Sequence, residues 1–159
     1  MLITGLSGAG KSSVVAALRR RGYDAHDVDA GLTYLDPTDD RWHWDVPGVQ
    51  AVLDTADGLV LIAGCSEEQR AWAWDLRILL TAPADVLLSR VATRPGPGFG
   101  KSADERALVL ADIADVEPLL LASADVVLDT RRPLPEVVDA VLLAVRTDGV
   151  EHANLNPCW

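Results

Sequence analysis

The chain has 159 residues, 49% of them hydrophobic and 24% charged, which is one domain's worth of protein and too apolar for disorder. Fourteen Lys and Arg against 24 Asp and Glu leave a formal net charge of −10; that excludes long DNA or RNA held on a basic surface, but not a small phosphorylated ligand met by a local cluster of cations. Cys65 and Cys158 have no metal or disulfide spacing, no leader pattern precedes Met1-Leu2-Ile3-Thr4, and no apolar run approaches the roughly 18 residues of a membrane span, so a cytoplasmic chain away from the membrane is expected.

In chain order, short β-branched or Leu-rich runs alternate with longer helical ones, the pattern of an α/β fold with a parallel sheet. Met1–Thr4 predicts a first strand. Lys11–Arg21 predicts a helix stopped by Gly22, with Arg19, Arg20 and Arg21 at its negative end. Tyr23–Val28 predicts a second strand. Residues 30–45 hold Gly31, Pro37, Asp36, Asp39, Asp40, Asp45 and two tryptophans, and read as a loop with little regular structure. Pro47–Thr55 predicts a short helix and Gly58–Gly64 a strand buried on both faces. Ser66-Glu67-Glu68-Gln69 resembles a capping box that opens a helix to about Asp75. A fourth strand is expected over Arg77–Thr81, then a helix from Pro83 carrying Arg90 and Arg94, which breaks at Pro95-Gly96-Pro97-Gly98. Ser102-Ala103-Asp104-Glu105 is a second capping box, opening a helix to about Ala122. Asp125–Leu128 predicts a fifth strand, Pro133–Val145 a last helix, and residues 148–159 a polar tail.

Gly5-Leu6-Ser7-Gly8-Ala9-Gly10-Lys11-Ser12 fits G-x-x-x-x-G-K-[ST]. Glycines let successive backbone N–H groups curl inward toward phosphate oxygens, and the helix that follows adds its positive end. The nest comprises Gly5, Ser7, Gly8, Ala9, Gly10, Lys11, Ser12 and Ser13. Lys11 reaches the β- and γ-phosphates and Ser12 offers a hydroxyl to magnesium. A second Gly-Lys-Ser at Gly100-Lys101-Ser102 is not another such loop, since no strand precedes it and Pro95 stands where the first Gly would be. The chain nevertheless has only two lysines, both after a glycine and before a helix, so Lys101 is expected on a phosphate.

Absent motifs narrow the class. There is no N/T-K-x-D and no D-x-x-G after a strand, as a GTPase would carry. Motor and AAA-type ATPases place an acid directly after the third strand, where this chain reads Gly64-Cys65-Ser66. The metal's second carboxylate is then expected from Asp27 and Asp29, which flank Val28 at the end of the second strand; alternation would turn both to one side of the crevice.

The P-loop, the D-x-D after strand two, Gly64 after strand three, the R-x-x-x-R before a Gly/Pro-rich lid and the Ala124-Asp125-Val126-Val127-Leu128-Asp129-Thr130 run before Pro133 together resemble the small P-loop kinases: shikimate kinase, gluconate kinase and the nucleoside-monophosphate kinases. The octet GLSGAGKS is also similar to the P-loop of adenylylsulfate kinase. The resemblance implies a three-layer α/β/α P-loop NTPase fold with a five-stranded parallel sheet in order 2-3-1-4-5. Residues 1–147 would form the kinase-like domain, with an acceptor segment over about 29–55 and a small lid over about 94–106. It implies ATP and magnesium as cofactors and a small-molecule acceptor as partner, with the chain a monomer or homodimer.

By that resemblance Arg90 would stack on adenine and Arg94 would reach the phosphates, and a spacing of four residues places both on one helix face. Thr130-Arg131-Arg132-Pro133 resembles the adenine-contacting turn. Asp29 resembles the carboxylate that binds the acceptor hydroxyl and Asp27 the one near magnesium. Lys11, Asp29 and Arg94 would carry the chemistry; Asp29, Arg41, Trp44, Gly64 and Cys65 would face the acceptor. The chain departs from shikimate kinase at Gly64-Cys65-Ser66 (there G-G-G), from the D-G-D kinases at Val28, and from nucleoside-monophosphate kinases in offering only Arg41 across residues 30–55. It is more similar to a group of bacterial AAA-type ATP-binding proteins with a Trp-bearing segment here and an N-P-Y-G-K-like lid. Two functions are compatible with this pattern: a phosphotransferase, or a nucleotide-binding regulatory module.

Trp42 and Trp44 either stack on an aromatic or sugar acceptor or anchor their loop to the core. On a helix Trp72 and Trp74 would point about 200° apart, one inward and one outward. His26, His43 and His152 have no metal spacing.

Overall fold

The computed structural model describes residues 1–95 and 99–154, with side chains as far as Thr147. Its main sheet is parallel and five-stranded, from β1 (Leu2–Thr4), β2 (Asp24–Asp27), β5 (Val60–Ala63), β6 (Arg77–Thr81) and β7 (Val126–Asp129), in the order β2-β5-β1-β6-β7. Counted along the chain, the strands of this sheet run 2-3-1-4-5. The central position of β1 follows from composition: Leu2, Ile3 and Thr4 are all buried, as a strand covered on both faces must be.

Alternation along the strands divides the core in two. Ile3, Leu61, Ile78 and Leu80 pack against Val14 and Leu18 of α1 (Lys11–Arg20) and Val138 and Val141 of α6 (Leu134–Asn154). Leu2, Val60 and Ile62 face the other way, onto Val49 of α2 (Val46–Thr55), Val28, Trp44 and Trp74. A third cluster joins Leu6 and Leu79 to Leu120. This is the expected three-layer arrangement.

Residues 33–44 are not an irregular loop. β3 (Thr33–Asp36) and β4 (Arg41–Trp44) pair antiparallel, with Thr33 opposite Trp44 and Asp36 opposite Arg41. The aromatic and β-branched residues flanking Pro37–Asp40 suit strands. The aspartates build the turn: Asp36 Oδ1 accepts the Thr38 N–H at 2.8 Å, the Asp36 carbonyl accepts the Asp40 N–H at 2.9 Å, and Asp40 takes φ 56°.

Three helices also differ from expectation. The capping box at Ser66 does not form; Glu67–Ala71 is a 3-10 turn, because the Ser66 hydroxyl donates to Glu68 instead of accepting the Gln69 N–H. Trp72 and Trp74 therefore lie on no helix. Trp74 is buried, Trp72 is half-buried, and their ring centroids are 5.7 Å apart. The helix opened by Ser102 splits into α4 (Ala103–Asp115) and α5 (Glu117–Ser123), since Pro118 has no N–H to continue the ladder. Its capping box is as expected: Ser102 Oγ accepts the Glu105 N–H at 3.1 Å and Glu105 accepts the Ser102 N–H at 2.9 Å. Finally, α6 continues to Asn154 through residues expected to form the tail.

α3 (Ala84–Thr93) ends one residue before Arg94, whose ψ of 141° is extended. Arg90 and Arg94 therefore do not share a helix face. Of the expected lid, Gly96, Pro97 and Gly98 lie outside the described residues, as does the C-terminal Cys158.

Candidate active site

Residues at the C-terminal end of β2, after β1, β5 and β7, and at the end of α3 line one cleft of about 1250 Å³. The Leu6–Lys11 part of the phosphate loop crosses its floor, and Gly5 lies outside the lining. The loop is pressed against its neighbours. A Cβ at Gly8, which takes φ 85°, would come within 2.7 Å of the Leu87 carbonyl of α3. Only glycine allows that approach together with that conformation. The backbone then enters α1 with Gly10 in the left-handed region, at φ 99°.

Lys11 is held ready at this floor. Its Nζ donates to the Gly5 carbonyl at 2.6 Å and lies 3.3 Å from Asp29 Oδ2. Asp29 is itself positioned: its Oδ1 accepts the Trp44 indole N–H and the Cys65 backbone N–H, each at 3.1 Å. Gly64 makes room for this. A Cβ there would stand 2.4 Å from the Trp44 ring and 2.7 Å from Asp29 Oδ1. The acceptor-side glycine thus serves the carboxylate and its indole partner. It does not itself line the cleft.

Asp27 is the last residue of β2, while Asp29 sits in a 3-10 turn over Val28–Ala30. Strand alternation is therefore not what brings them together; the turn does, and both line the cleft with Ser12. Asp27 Oδ1 is buried with no hydrogen-bond partner. An orphaned carboxylate oxygen in a cleft that Ser12 also lines fits a divalent cation, which would satisfy it.

The other expected residues divide. Ser7, Gly8, Ala9, Gly10, Ser12, Ser13, Arg90, Arg94, Arg132, Trp44 and Cys65 line the cleft. Arg90 ties three parts of it together, donating to Thr130 Oγ1 at 2.8 Å, the Thr130 carbonyl at 2.6 Å and the Gly8 carbonyl at 3.2 Å. Arg94 donates to the Phe99 carbonyl at 2.6 Å. Lys101 is a correction. It lies outside the lining, its ammonium on the Ala92 and Arg94 carbonyls, where the negative end of α3 attracts a cation.

Arg131 is another: it is exposed and pairs with Asp129, at 2.8 Å between Nε and Oδ2, outside the lining. That pairing holds the Asp129 carboxyl down at about 2. Pro133 and Arg41 are also outside the lining. Of the expected adenine turn, Thr130 and Arg132 remain in it.

Sequence reasoning did not select Thr33 or Ser66 as site residues, and both line the cleft together with Trp42 and Thr130. Thr33 became visible only with the hairpin. Trp44 resolves the tryptophan alternatives in favour of the anchor, being 2% exposed, whereas Trp42 stands 67% exposed on the wall. Burial pushes the Cys65 thiol up despite nearby Lys11, which keeps it a neutral lining group.

The sheet order, the phosphate-binding loop and the cleft define a P-loop kinase-like nucleotide-binding fold. The family model described as AAA domain matches residues 1–110, and the chain belongs to that family. The missing acid after β5 therefore does not separate it from AAA-type proteins, because the match spans Gly64-Cys65-Ser66. No curated protein matches the sequence. Solved structures do match in fold. Shikimate kinase from Acinetobacter baumannii, in complex with shikimate, is 16% identical with a TM-score of 0.65, over 92% of each chain. A gluconokinase from Sinorhizobium meliloti 1021 is 23% identical with a TM-score of 0.65, over 98% of this chain and 96% of that one. A sugar kinase from Janibacter sp. HTCC2649 is 19% identical with a TM-score of 0.59, over 91% and 92%.

Proposed function

We propose that this protein is an ATP- and magnesium-dependent phosphotransferase that moves the γ-phosphoryl group to a hydroxyl or phosphate oxygen of a small molecule. The observation that carries the reading is Asp29. It is fixed by Trp44 and Cys65, with Oδ2 at 3.3 Å from the phosphate-loop lysine. A carboxylate so placed lies where a nucleophile would meet the terminal phosphate.

In this reading the backbone N–H groups of residues 7–13 cradle the phosphates and Lys11 neutralises charge on the β- and γ-oxygens. Ser12 and Asp27 would hold magnesium, which when bound would supply charge neutralisation and orientation for the phosphates. Arg90 keeps the phosphate loop, α3 and the Thr130 turn in register, and Arg94, which lines the cleft, would reach the transferring group. An acceptor hydroxyl donates its O–H to Asp29 Oδ2 and its oxygen attacks the γ-phosphorus. The new P–O bond forms as the bond to the β,γ-bridging oxygen breaks, ADP departs, and a hydroxyl's proton passes to Asp29 or through it to water. A loose transition state asks chiefly for positioning.

One observation favours the regulatory reading: β5 ends at Ala63 and Gly64-Cys65-Ser66 follows, with no acid directly after the strand. Release of ADP from Mg·ATP over a panel of nucleosides, nucleotides, sugars, sugar acids and shikimate separates the two. Acceptor-dependent turnover that Lys11→Ala abolishes is expected. Acceptor-independent, near-zero turnover throughout would favour the regulatory module.

A further inference from the structure

The phosphate loop follows the central strand β1 and divides the cleft. On the β6–β7 side lie all the lining cations besides Lys11: Arg90, Arg94 and Arg132. The β5–β2 side, where the acceptor would sit, is lined by Asp27, Asp29, Thr33, Trp42, Cys65 and Ser66. Among the described lining residues the one cation that reaches that half is Lys11, whose ammonium is paired with Asp29 at 3.3 Å. Arg41, the one guanidinium of the hairpin, is outside the lining, and the His43 ring is engaged by Glu68 and Asp39. A carboxylate or phosphate placed here would face Asp27 and Asp29 with no cation left over for it, since Lys11 is paired with Asp29 and in this reading serves the ATP phosphates, which disfavours it.

The wall supplies something else. Trp42, 67% exposed, lines the same half as the Thr33 and Ser66 hydroxyls and the Asp27 and Asp29 carboxylates. An aromatic face beside acceptors of hydrogen bonds suits a hydroxylated ring, stacked on one side and hydrogen-bonded at its edge.

We propose that the acceptor is an uncharged or amine-bearing hydroxylated ring compound, of the sugar, aminosugar or nucleoside class, and not a carboxylate or phosphate ester. This rests on the phosphotransferase reading and narrows it. It sets the chain apart from the structural neighbour seated with shikimate, which is a carboxylate.

The test is equilibrium binding by calorimetry to the full chain with magnesium and a non-hydrolysable ATP analogue. It uses matched series: glucose, glucosamine, glucuronate and glucose 6-phosphate; uridine and UMP; adenosine and AMP. In at least one series the neutral or amine-bearing member is expected to bind at least tenfold more tightly than its anionic counterparts. Thr33→Lys, which puts a cation on the edge of the acceptor half, is expected to raise affinity for the anionic member of that series at least tenfold. Preference for the anions in every series, no binding by any member, or no gain in Thr33→Lys would overturn the proposal. ADP release with Mg·ATP is read separately. Its absence alongside the predicted binding pattern would count against phosphoryl transfer and leave the ligand class supported.

Discussion

Asp29 divides its two oxygens between different tasks, and that division can be tested at a single atom. Oδ1 takes two N–H donors, from Trp44 and Cys65, while Oδ2 faces Lys11. Asp29→Asn can keep the first arrangement only by turning its amide NH₂ toward the ammonium, which sets donor against donor. Turnover should fall by about 10²-fold or more, the range of a positioned base, with ATP affinity nearly unchanged. Asp27→Asn should instead raise the magnesium concentration needed for half-maximal turnover, because the orphaned Asp27 Oδ1 is the oxygen suited to the metal. Steady-state kinetics over ATP and magnesium check both. Identical behaviour of the two variants would make Asp29 a metal-side residue and move the acceptor carboxylate elsewhere.

The hairpin β3–β4 carries its own pH dependence. His43 Nδ1 lies 2.6 Å from Glu68 Oε1, and Nε2 lies 2.9 Å from Asp39 Oδ2, so the imidazole links the hairpin to the turn after β5. Asp36 lies close to the same ring. The hydrogen bonds to Glu68 and then Asp39 raise the His43 pKa above the ordinary 6.5. Its contribution is therefore complete below about 6.5 and is lost as pH rises through the raised value. For Glu68, burial is the largest single influence and pushes upward. The hydrogen bonds of Ser66, His43 and the backbone together outweigh it and hold the carboxyl at about 2, down from 4.5. That contribution is present above about 4.5 and lost toward pH 2. Amide exchange across residues 33–44 should be slowest between about pH 4.5 and 6.5 after correction for intrinsic rates, and should rise into the alkaline range. A profile unchanged by His43→Ala would contradict this. At the same scale, the strands β1, β5 and β6 were legible because they are buried on both faces and read as unbroken apolar runs. The hairpin was not: its alternating Tyr34, Trp42 and His43 are exposed or half-buried, and Pro37 with four aspartates looked like loop punctuation. The helix expected after Ser66 failed for a related reason, since Glu68 is captured by a histidine 25 residues earlier, a contact no local pattern encodes.

Across the whole molecule, sheet order determines which residues can meet. Putting β1 between β5 and β6 sends the phosphate loop out at the middle of the sheet, with a cation-bearing wall on one side and a carboxylate-bearing wall on the other. The phosphate loop was readable as a contiguous octet, and the two aspartates as a pair at a strand end. The rest of the cleft is assembled from segments far apart in sequence, such as Arg90 with Thr130 and Trp44 with Asp29. Lys101 shows the limit of inference from rarity: a scarce lysine after a glycine is used to close a helix end. That division of the cleft has a direct consequence for where the phosphoryl group goes. The decisive measurement follows ATP labelled at the γ-phosphorus, incubated with magnesium, the wild-type protein and the acceptor that binds most tightly. The label should be recovered covalently on that acceptor, one label per ADP formed, and in neither product with Lys11→Ala. Label found solely as inorganic phosphate, or left entirely in ATP, would contradict phosphoryl transfer across the Lys11–Asp29 pair.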